Sequence, residues 1–403
     1  MKHIVVIGAG QAGSSLVVKL RNLGFDGQIT LIGEEPLPPY QRPPLSKAYL
    51  LGEMTLERLF LRPEKMYADE NITLKLGEPV TAIDADARTV TVGDETLAYD
   101  ALALTTGSTP RRLPESIGGA LTGVHVVRTL EDVDHMADDI VPGQKALIVG
   151  GGYIGLEAAA VAAKLGLHVT MVEMADRILQ RVAAPETSDY FRALHRSHGV
   201  DIREGVGLDT LLGDERVRSA RLTDGTELPL DVVVVGVGIT PATGLAEAAG
   251  LAVDNGIKVD AQGRTSNPAI WAAGDCASFP YKGERIRLES VQNAIDQAEC
   301  VAENILGDGK DYVPQPWFWS DQYDVKLQIA GLNTGYDRVV TRPGEADGAQ
   351  SHWYYAGDKL LAVDAMNDPR AYMVGKRLIE AGKSPAPDIV ANPATDLKTL
   401  LKA

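Results

Sequence analysis

The stretch Ile4-Val5-Val6-Ile7-Gly8-Ala9-Gly10-Gln11-Ala12-Gly13 returns in altered form as Ala146-Leu147-Ile148-Val149-Gly150-Gly151-Gly152-Tyr153-Ile154-Gly155. In each copy a short aliphatic run reads as a buried parallel strand that ends in a Gly-x-Gly-x-x-Gly turn. With 41 glycines among 403 residues, chance alone supplies about 0.4 such patterns per chain, so the surroundings decide. Helical patterns follow over 14–23 and 155–165, and short strands over 28–32 and 168–172. Each copy is therefore a βαβ unit with the glycines at the strand-to-helix junction. The first glycine permits the tight turn, the second lets backbone approach a pyrophosphate, and the third lets helix pack on strand. The helix N-terminus then faces the phosphates. Glu34 and Glu173 close the following strands, where a carboxylate reaches a ribose hydroxyl.

The separation of Gly8 from Gly150 is too long for a solenoid repeat and fits duplicated nucleotide-binding domains. A third aliphatic run, 231–235, reads as another buried strand, and 80–83 and Thr89–Val92 as small antiparallel strands between the two units. From about Pro314 the character changes: Trp317, Trp319, Trp353, Tyr354 and Tyr355 cluster among short alternating stretches, predicting a third, α+β domain. The length calls for two or three domains. The expected division is a dinucleotide domain in two segments, 1–112 and 240–314, a second such domain at 113–239, and the α+β domain at 315–403.

A composition of 45% hydrophobic and 23% charged residues is that of a globular protein, and no apolar run approaches the roughly 20 residues that span a bilayer. The net charge of −16 argues against nucleic acid and anionic membrane as partners, since both reward dense positive charge. The first strand begins too soon for a cleaved leader, so the expected compartment is the cytoplasm. Cys276 and Cys300 are the only cysteines, with no CxxC spacing and no histidine nearby, which predicts buried free thiols and no metal. Glu173 favours NADH over NADPH, because a carboxylate about 4 Å from a 2′-phosphate costs about 4 kcal/mol per unit charge at a dielectric near 20. Arg177 is close enough in sequence to soften that preference.

The chain resembles the FAD-dependent pyridine nucleotide reductases, and within them the ferredoxin reductases of bacterial oxygenase systems. The resemblance covers nearly the whole sequence. It rests on the two fingerprints, on Arg42-Pro43-Pro44-Leu45-Ser46-Lys47, on Thr105-Thr106-Gly107, on Thr265 to Asp275 with its Trp271-Ala272-Ala273-Gly274-Asp275, and on Pro316-Trp317-Phe318-Trp319-Ser320-Asp321-Gln322. It implies a glutathione-reductase-like α/β fold: two Rossmann-like domains, for FAD and for NAD, and a C-terminal α+β domain. It further implies that FAD is held by Gly8, Gly10, Ala12, Gly13, Glu34, Arg42, Lys47, Val80, Thr106, Gly107, Arg128, Gly274, Asp275, Val291 and Trp319. NAD falls to Gly150, Gly152, Tyr153, Ile154, Gly155, Glu157, Glu173, Gly238 and Glu289. Lys47 and Glu157 resemble a pair beside the flavin, with the lysine on the first domain, Tyr153 an aromatic that covers the flavin until nicotinamide displaces it, and Trp319 a tryptophan at the electron exit.

Disulfide reductases of this fold need two reactive cysteines near the flavin, and related oxidases need one. The matching segment here, Pro43 to Lys47, has no thiol. Two electrons taken as hydride must then leave the flavin directly, and flavin can release them singly. The resemblance makes the acceptor an acidic two-iron two-sulfur ferredoxin that docks transiently and feeds an oxygenase, such as a haem monooxygenase, with the reductase a monomer or weak homodimer. Lys326, Arg338, Lys376 and Arg377 are unranked candidates for its docking. Rubredoxin reductase, NADH oxidase and a redox-sensing flavoprotein of the apoptosis-inducing-factor type remain alternatives.

Overall fold

Ile4, Val5 and Val6 have no solvent exposure, as a strand covered on both faces requires. In the computed structural model, which describes residues 1–402, His3–Ile7 is the middle strand of a five-stranded parallel sheet. The order is Ile270–Ala272, Ala101–Leu104, His3–Ile7, Gln28–Gly33, Ile72–Leu76. Helices Gln11–Asn22 and Val291–Ile305 bury Leu16, Val17, Ala298 and Val301 with the aliphatic residues on one face of the sheet. Lys19 joins the two helices by ion pairs to Glu303 at 2.9 Å and Glu299 at 3.5 Å. Strands Val80–Asp84, Thr89–Val92 and Glu95–Ala98 form the small antiparallel sheet.

These elements belong to a compact unit made of Met1–Arg42, Met54–Thr109 and Ile239–Pro314. A second unit comprises Pro43–Glu53, Pro110–Gly238 and the chain from Gln315 onward. It contains another five-stranded parallel sheet, ordered Asp201–Glu204, His168–Glu173, Lys145–Val149, Val232–Val235, Val124–His125. The same unit holds a five-stranded antiparallel sheet, Trp317–Gln322, Val325–Gly331, Lys359–Met366, Gln350–Ala356, Arg338–Pro343. Helix Pro369–Glu380 packs on that sheet and buries Ala371, Val374 and Leu378 with Trp353, Tyr355 and Val363. The α/β reading with two Rossmann-like sheets and a C-terminal α+β region therefore holds. No helix among the described residues is long and apolar enough to cross a membrane.

Both fingerprint helices begin earlier than their apolar pattern, at Gln11 and Tyr153. The third glycine of each motif, Gly13 and Gly155, lies inside the first turn.

Within the second unit, helix Pro185–Ser197 is tied to the antiparallel sheet by a buried polar cluster. Thr187 Oγ1 donates to Asp364 at 2.8 Å and lies 2.7 Å from His352 Nδ1, while the Tyr354 hydroxyl donates to the same carboxylate. Burial pushes Asp364 up to about 6 from 3.8, and holds His352 and His195 at about 4 from 6.5. As pH falls from about 6 to about 4, native Asp364 takes its proton before the unfolded chain does, which adds stability. The two histidines do the reverse, because the unfolded chain takes their protons first. These three groups together cost about 1.4 kcal/mol of stability per pH unit of acidification. Asp364→Asn removes the opposing contribution, so its acid loss becomes steeper than wild type by about 1.4 kcal/mol per unit in chemical unfolding. Equal slopes for the two proteins would contradict this assignment.

Candidate functional site

In the first unit two of the three glycines of Gly8 to Gly13 are dictated by a neighbour. Gly8 has φ +111°, and a Cβ there would lie 2.2 Å from Thr105 O; one at Gly13 would lie 2.0 Å from Gly8 O. Gly10 faces open space, with nothing within 4 Å of an added Cβ. It is the N-cap of Gln11–Asn22, and no side chain caps that helix. An uncapped helix start beside open space suits the pyrophosphate of FAD, whose oxygens would accept from the helix N–H groups.

Of the other FAD candidates in this unit, Thr106 and Gly274 adjoin this turn. Gly274 comes within 3.0 Å of Ala12 Cβ if given a side chain, and its N–H donates to Gln297 Oε1 at 2.8 Å. Asp275 accepts from Ser108 Oγ at 3.0 Å, and its carbonyl accepts from Arg287 Nη1 at 3.1 Å. Thr106 Oγ1 donates to Ala242 O at 2.7 Å beside Gly107. Val291 opens its helix behind the N-cap Ser290, and Val80 packs half-buried against the core. Arg42 pairs with Glu35 at 2.6 Å, and although burial opposes its charge, Tyr40 and Glu35 hold its pKa above the ordinary value. Glu34 is exposed, so of the two adjacent acids it is Glu35 that reaches the arginine. Glu289 also lies in this unit, paired with Arg287 at 2.6 Å.

The second unit repeats the turn. A Cβ at Gly155 would lie 2.0 Å from Gly150 O, one at Gly150 would meet Gly236 O at 2.4 Å, and Gly152 faces open space as an uncapped N-cap. Glu173 folds back on this loop, accepting from the N–H of Gly151 at 2.7 Å and of Ala175 at 2.8 Å. Ile154 is exposed at the loop. Arg177 is engaged with Ser188 Oγ at 2.6 Å and Gln180 O at 3.5 Å. Gly238, at φ +102°, is flanked by Arg111 and Arg181, two cations that the spacing of the motif did not reveal.

Helical and strand periodicities meet in this unit. Tyr153 and Glu157 are four apart on one helix face, and Phe318, Ser320 and Gln322 alternate along one strand face. Accordingly, the Tyr153 ring packs 5.1 Å from that of Phe318 with the planes tilted by 42°, and Glu157 accepts from Ser320 Oγ at 2.8 Å. Trp319 points the other way along the strand and sits half-buried, 5.5 Å from Trp317. Lys47 belongs to this unit, in segment Pro43–Glu53, where the π-helical turn Leu45–Tyr49 breaks at φ −129°, ψ −108° on Lys47 itself. That turn brings Lys47 Nζ to 3.1 Å from Glu157 Oε1, the pairing the resemblance implied. Burial raises the Glu157 pKa, against the Lys47 charge and the Ser320 hydrogen bond, which lower it. Tyr153 has a buried hydroxyl with no hydrogen-bond partner, and burial raises its pKa well above the ordinary value. Arg128 is half-buried in the same unit.

Residues 2–298 match the family described as pyridine nucleotide-disulphide oxidoreductase, and residues 317–401 match the reductase C-terminal domain. The chain belongs to the pyridine nucleotide-disulphide oxidoreductase family. Within it the chain is similar to ferredoxin reductases. It is 44% identical to the ferredoxin–NAD(P)+ reductase of a Sphingomonas species, over 94% of this chain and 92% of that protein. It is 41% identical to the putidaredoxin reductase of Pseudomonas putida, over 100% and 97% respectively. The reductase in the covalent putidaredoxin reductase–putidaredoxin complex superposes with a TM-score of 0.96 at 40% identity, over 100% of this chain and 98% of that one.

Proposed function

We propose that the protein is an FAD-dependent NADH:ferredoxin oxidoreductase, acting as a monomer or weak homodimer. Its acceptor is a two-iron two-sulfur ferredoxin that supplies an oxygenase, with a haem monooxygenase the expected consumer. The observation that carries this reading within a family of disulphide oxidoreductases is the state of the two thiols. Cys276 and Cys300 are both buried, and burial raises both pKa values. Cys276 Sγ lies 3.5 Å from the carbonyls of Leu104 and Ala273. Neither is the exposed thiolate that disulfide chemistry needs.

Bound FAD supplies the conversion of one hydride into two single electrons. The chain's own residues bind and orient. In this reading the first fingerprint and Asp275 hold FAD, with Glu34, Arg42, Val80, Thr106, Gly107, Arg128 and Val291 as further contacts. The second fingerprint, Gly238 and Glu289 receive NADH. Glu173 disfavours NADPH, and Arg177, committed to Ser188 and Gln180, does not soften that preference. The Lys47 ammonium, braced by Glu157, provides positive charge for the reduced flavin in a site sheltered from water. Tyr153 covers the flavin until the nicotinamide displaces it, and Trp319 lines the electron exit.

Residues 1–112 and 240–314 form the FAD domain in this account, 113–239 the NAD domain and 315–403 the C-terminal domain. Mixing NADH-reduced protein anaerobically with a two-iron ferredoxin, and separately with rubredoxin, tests the acceptor. The account expects rapid bleaching of the ferredoxin and a much slower reaction with rubredoxin. The opposite order would make the protein a rubredoxin reductase.

A further inference from the structure

Glu157 is one end of a longer chain of buried hydrogen bonds within the second unit. Ser320 Oγ, 2.8 Å from Glu157 Oε1, lies 3.1 Å from Gln322 Nε2. Gln322 Oε1 lies 2.8 Å from His195 Nε2, and His195 Nδ1 is 3.3 Å from the Tyr323 hydroxyl. Ser320, Gln322 and His195 have no solvent exposure, and Glu157 is 3% exposed.

Donor and acceptor inventories fix the direction of this chain. An ionised carboxylate only accepts, so the single Ser320 proton goes to Glu157. Ser320 must then accept from the Gln322 amide, which turns the Gln322 carbonyl toward His195. His195 therefore carries its proton on Nε2 and accepts from Tyr323 at Nδ1. Every donor points toward Glu157, and dipoles aligned in a buried chain reinforce one another. Burial keeps His195 neutral, with its pKa at about 4, as this tautomer requires.

We propose that Ser320, Gln322 and His195 are positioning residues that keep Glu157 ionised and aimed at Lys47, and so set the acidic limit of flavin reduction by NADH. The inference rests on the role given to Lys47 and Glu157 above. The charged groups acting on Glu157 are Lys47 from the π-helical turn and Asp321 from the strand, the latter raising its pKa. On the parallel strands against the same helix, Lys145 and His168 lie exposed at the strand starts, and Glu173 is turned onto Gly151 and Ala175. His195 in turn faces His198, whose charge lowers its pKa, and Tyr323 stacks on His198 at 3.6 Å. On its own helix Arg192 is neutralised by Glu204 and Asp189.

Ser320→Ala removes the last donor with almost no change of volume. A hydrogen bond to a charged group is worth about one pKa unit. The acid limb of the stopped-flow rate of flavin reduction by NADH should move up by about one pH unit. Flavin content and the apparent Kd for NADH should stay at wild-type values. Ser320→Thr should restore the limb, and Gln322→Leu should move it in the same direction by less, since it only loosens the Ser320 hydroxyl. A purely structural role would change flavin content or NADH affinity and leave the limb in place.

Flavin-loaded Ser320→Ala with a wild-type limb would overturn the proposal. If Ser320→Ala does not accumulate as holoprotein, Gln322→Leu decides by the same rule. Glu157→Gln separates the two levels. Should it keep the wild-type limb, the reading of Lys47 and Glu157 fails, and this inference with it. Should it abolish the limb while Ser320→Ala leaves it unmoved, only the hydrogen-bond chain is wrong.

Discussion

Gly13→Ala should yield protein without flavin, while Gly155→Ala should yield flavin-loaded protein with weakened use of NADH. The two changes are sterically equivalent, since either Cβ would lie 2.0 Å from the carbonyl oxygen of the first glycine of its own motif. That oxygen is backbone and cannot swing aside. The helix must move off the turn, and the N–H groups aimed at a pyrophosphate move with it. Overpacking of this kind costs about 1–3 kcal/mol, so the ligand of the affected turn should bind about 10- to 100-fold more weakly. For Gly13→Ala the reading is flavin absorbance after purification, and for Gly155→Ala it is the NADH concentration that half-saturates flavin reduction. Flavin loss from both variants, or from Gly155→Ala alone, would contradict the division of the two turns between two cofactors.

Lys47→Ala should slow flavin reduction by NADH about 100-fold, the scale on which a single preorganised charge or donor acts on a transition state. The half-saturating NADH concentration should change little, because the ammonium acts on charge that develops during hydride transfer and not on the nicotinamide itself. The variant also leaves Glu157 buried without its counter-charge. Breaking a buried pair by removing one partner costs about 3–5 kcal/mol, so Lys47→Ala should also be destabilised. Adding Glu157→Gln should recover much of the stability and none of the rate. That split distinguishes an electrostatic role from a packing role. An unchanged rate in Lys47→Ala would remove the lysine from the mechanism.

The sheets were legible because their signal is local. Aliphatic runs ending at Gly8 and Gly150 describe a strand buried on both faces and the turn that follows it. The aromatic cluster Trp353-Tyr354-Tyr355 marked the C-terminal region for a similar reason: all three are fully buried on one strand of its sheet. Helix starts were less legible, because Gln11–Asn22 and Tyr153–Lys164 begin on the glycine turn itself, ahead of the apolar patterns at 14 and 155 that mark a helix in sequence. Spacing also could not tell Glu34 from Glu35, since the strand ends at Gly33 and only the following bend decides which carboxylate meets Arg42.

What the sequence did not reveal is the polar chain behind Glu157. Ser320 and Gln322 belong to the stretch Pro316 to Gln322, but their partners Glu157 and His195 are 163 and 127 residues away. Such pairings carry no periodicity of their own. A usable signal was present all the same: two polar residues at alternate positions of an aromatic strand must either face water or find buried partners. The placement of Lys47 was hidden for a different reason, since its short segment packs with a unit whose other parts lie more than fifty residues further along the chain.

The most direct test of the electron path is steady-state oxidation of NADH by the FAD-loaded protein, with and without a two-iron ferredoxin, using cytochrome c as the final indicator and NADPH as a parallel donor. The account predicts a slow rate with oxygen alone, a large increase that depends on ferredoxin, and clear preference for NADH. Fast oxidation of NADH in oxygen without ferredoxin would make the protein an oxidase, and a slow rate with every acceptor would mark a redox sensor; either result would contradict the account.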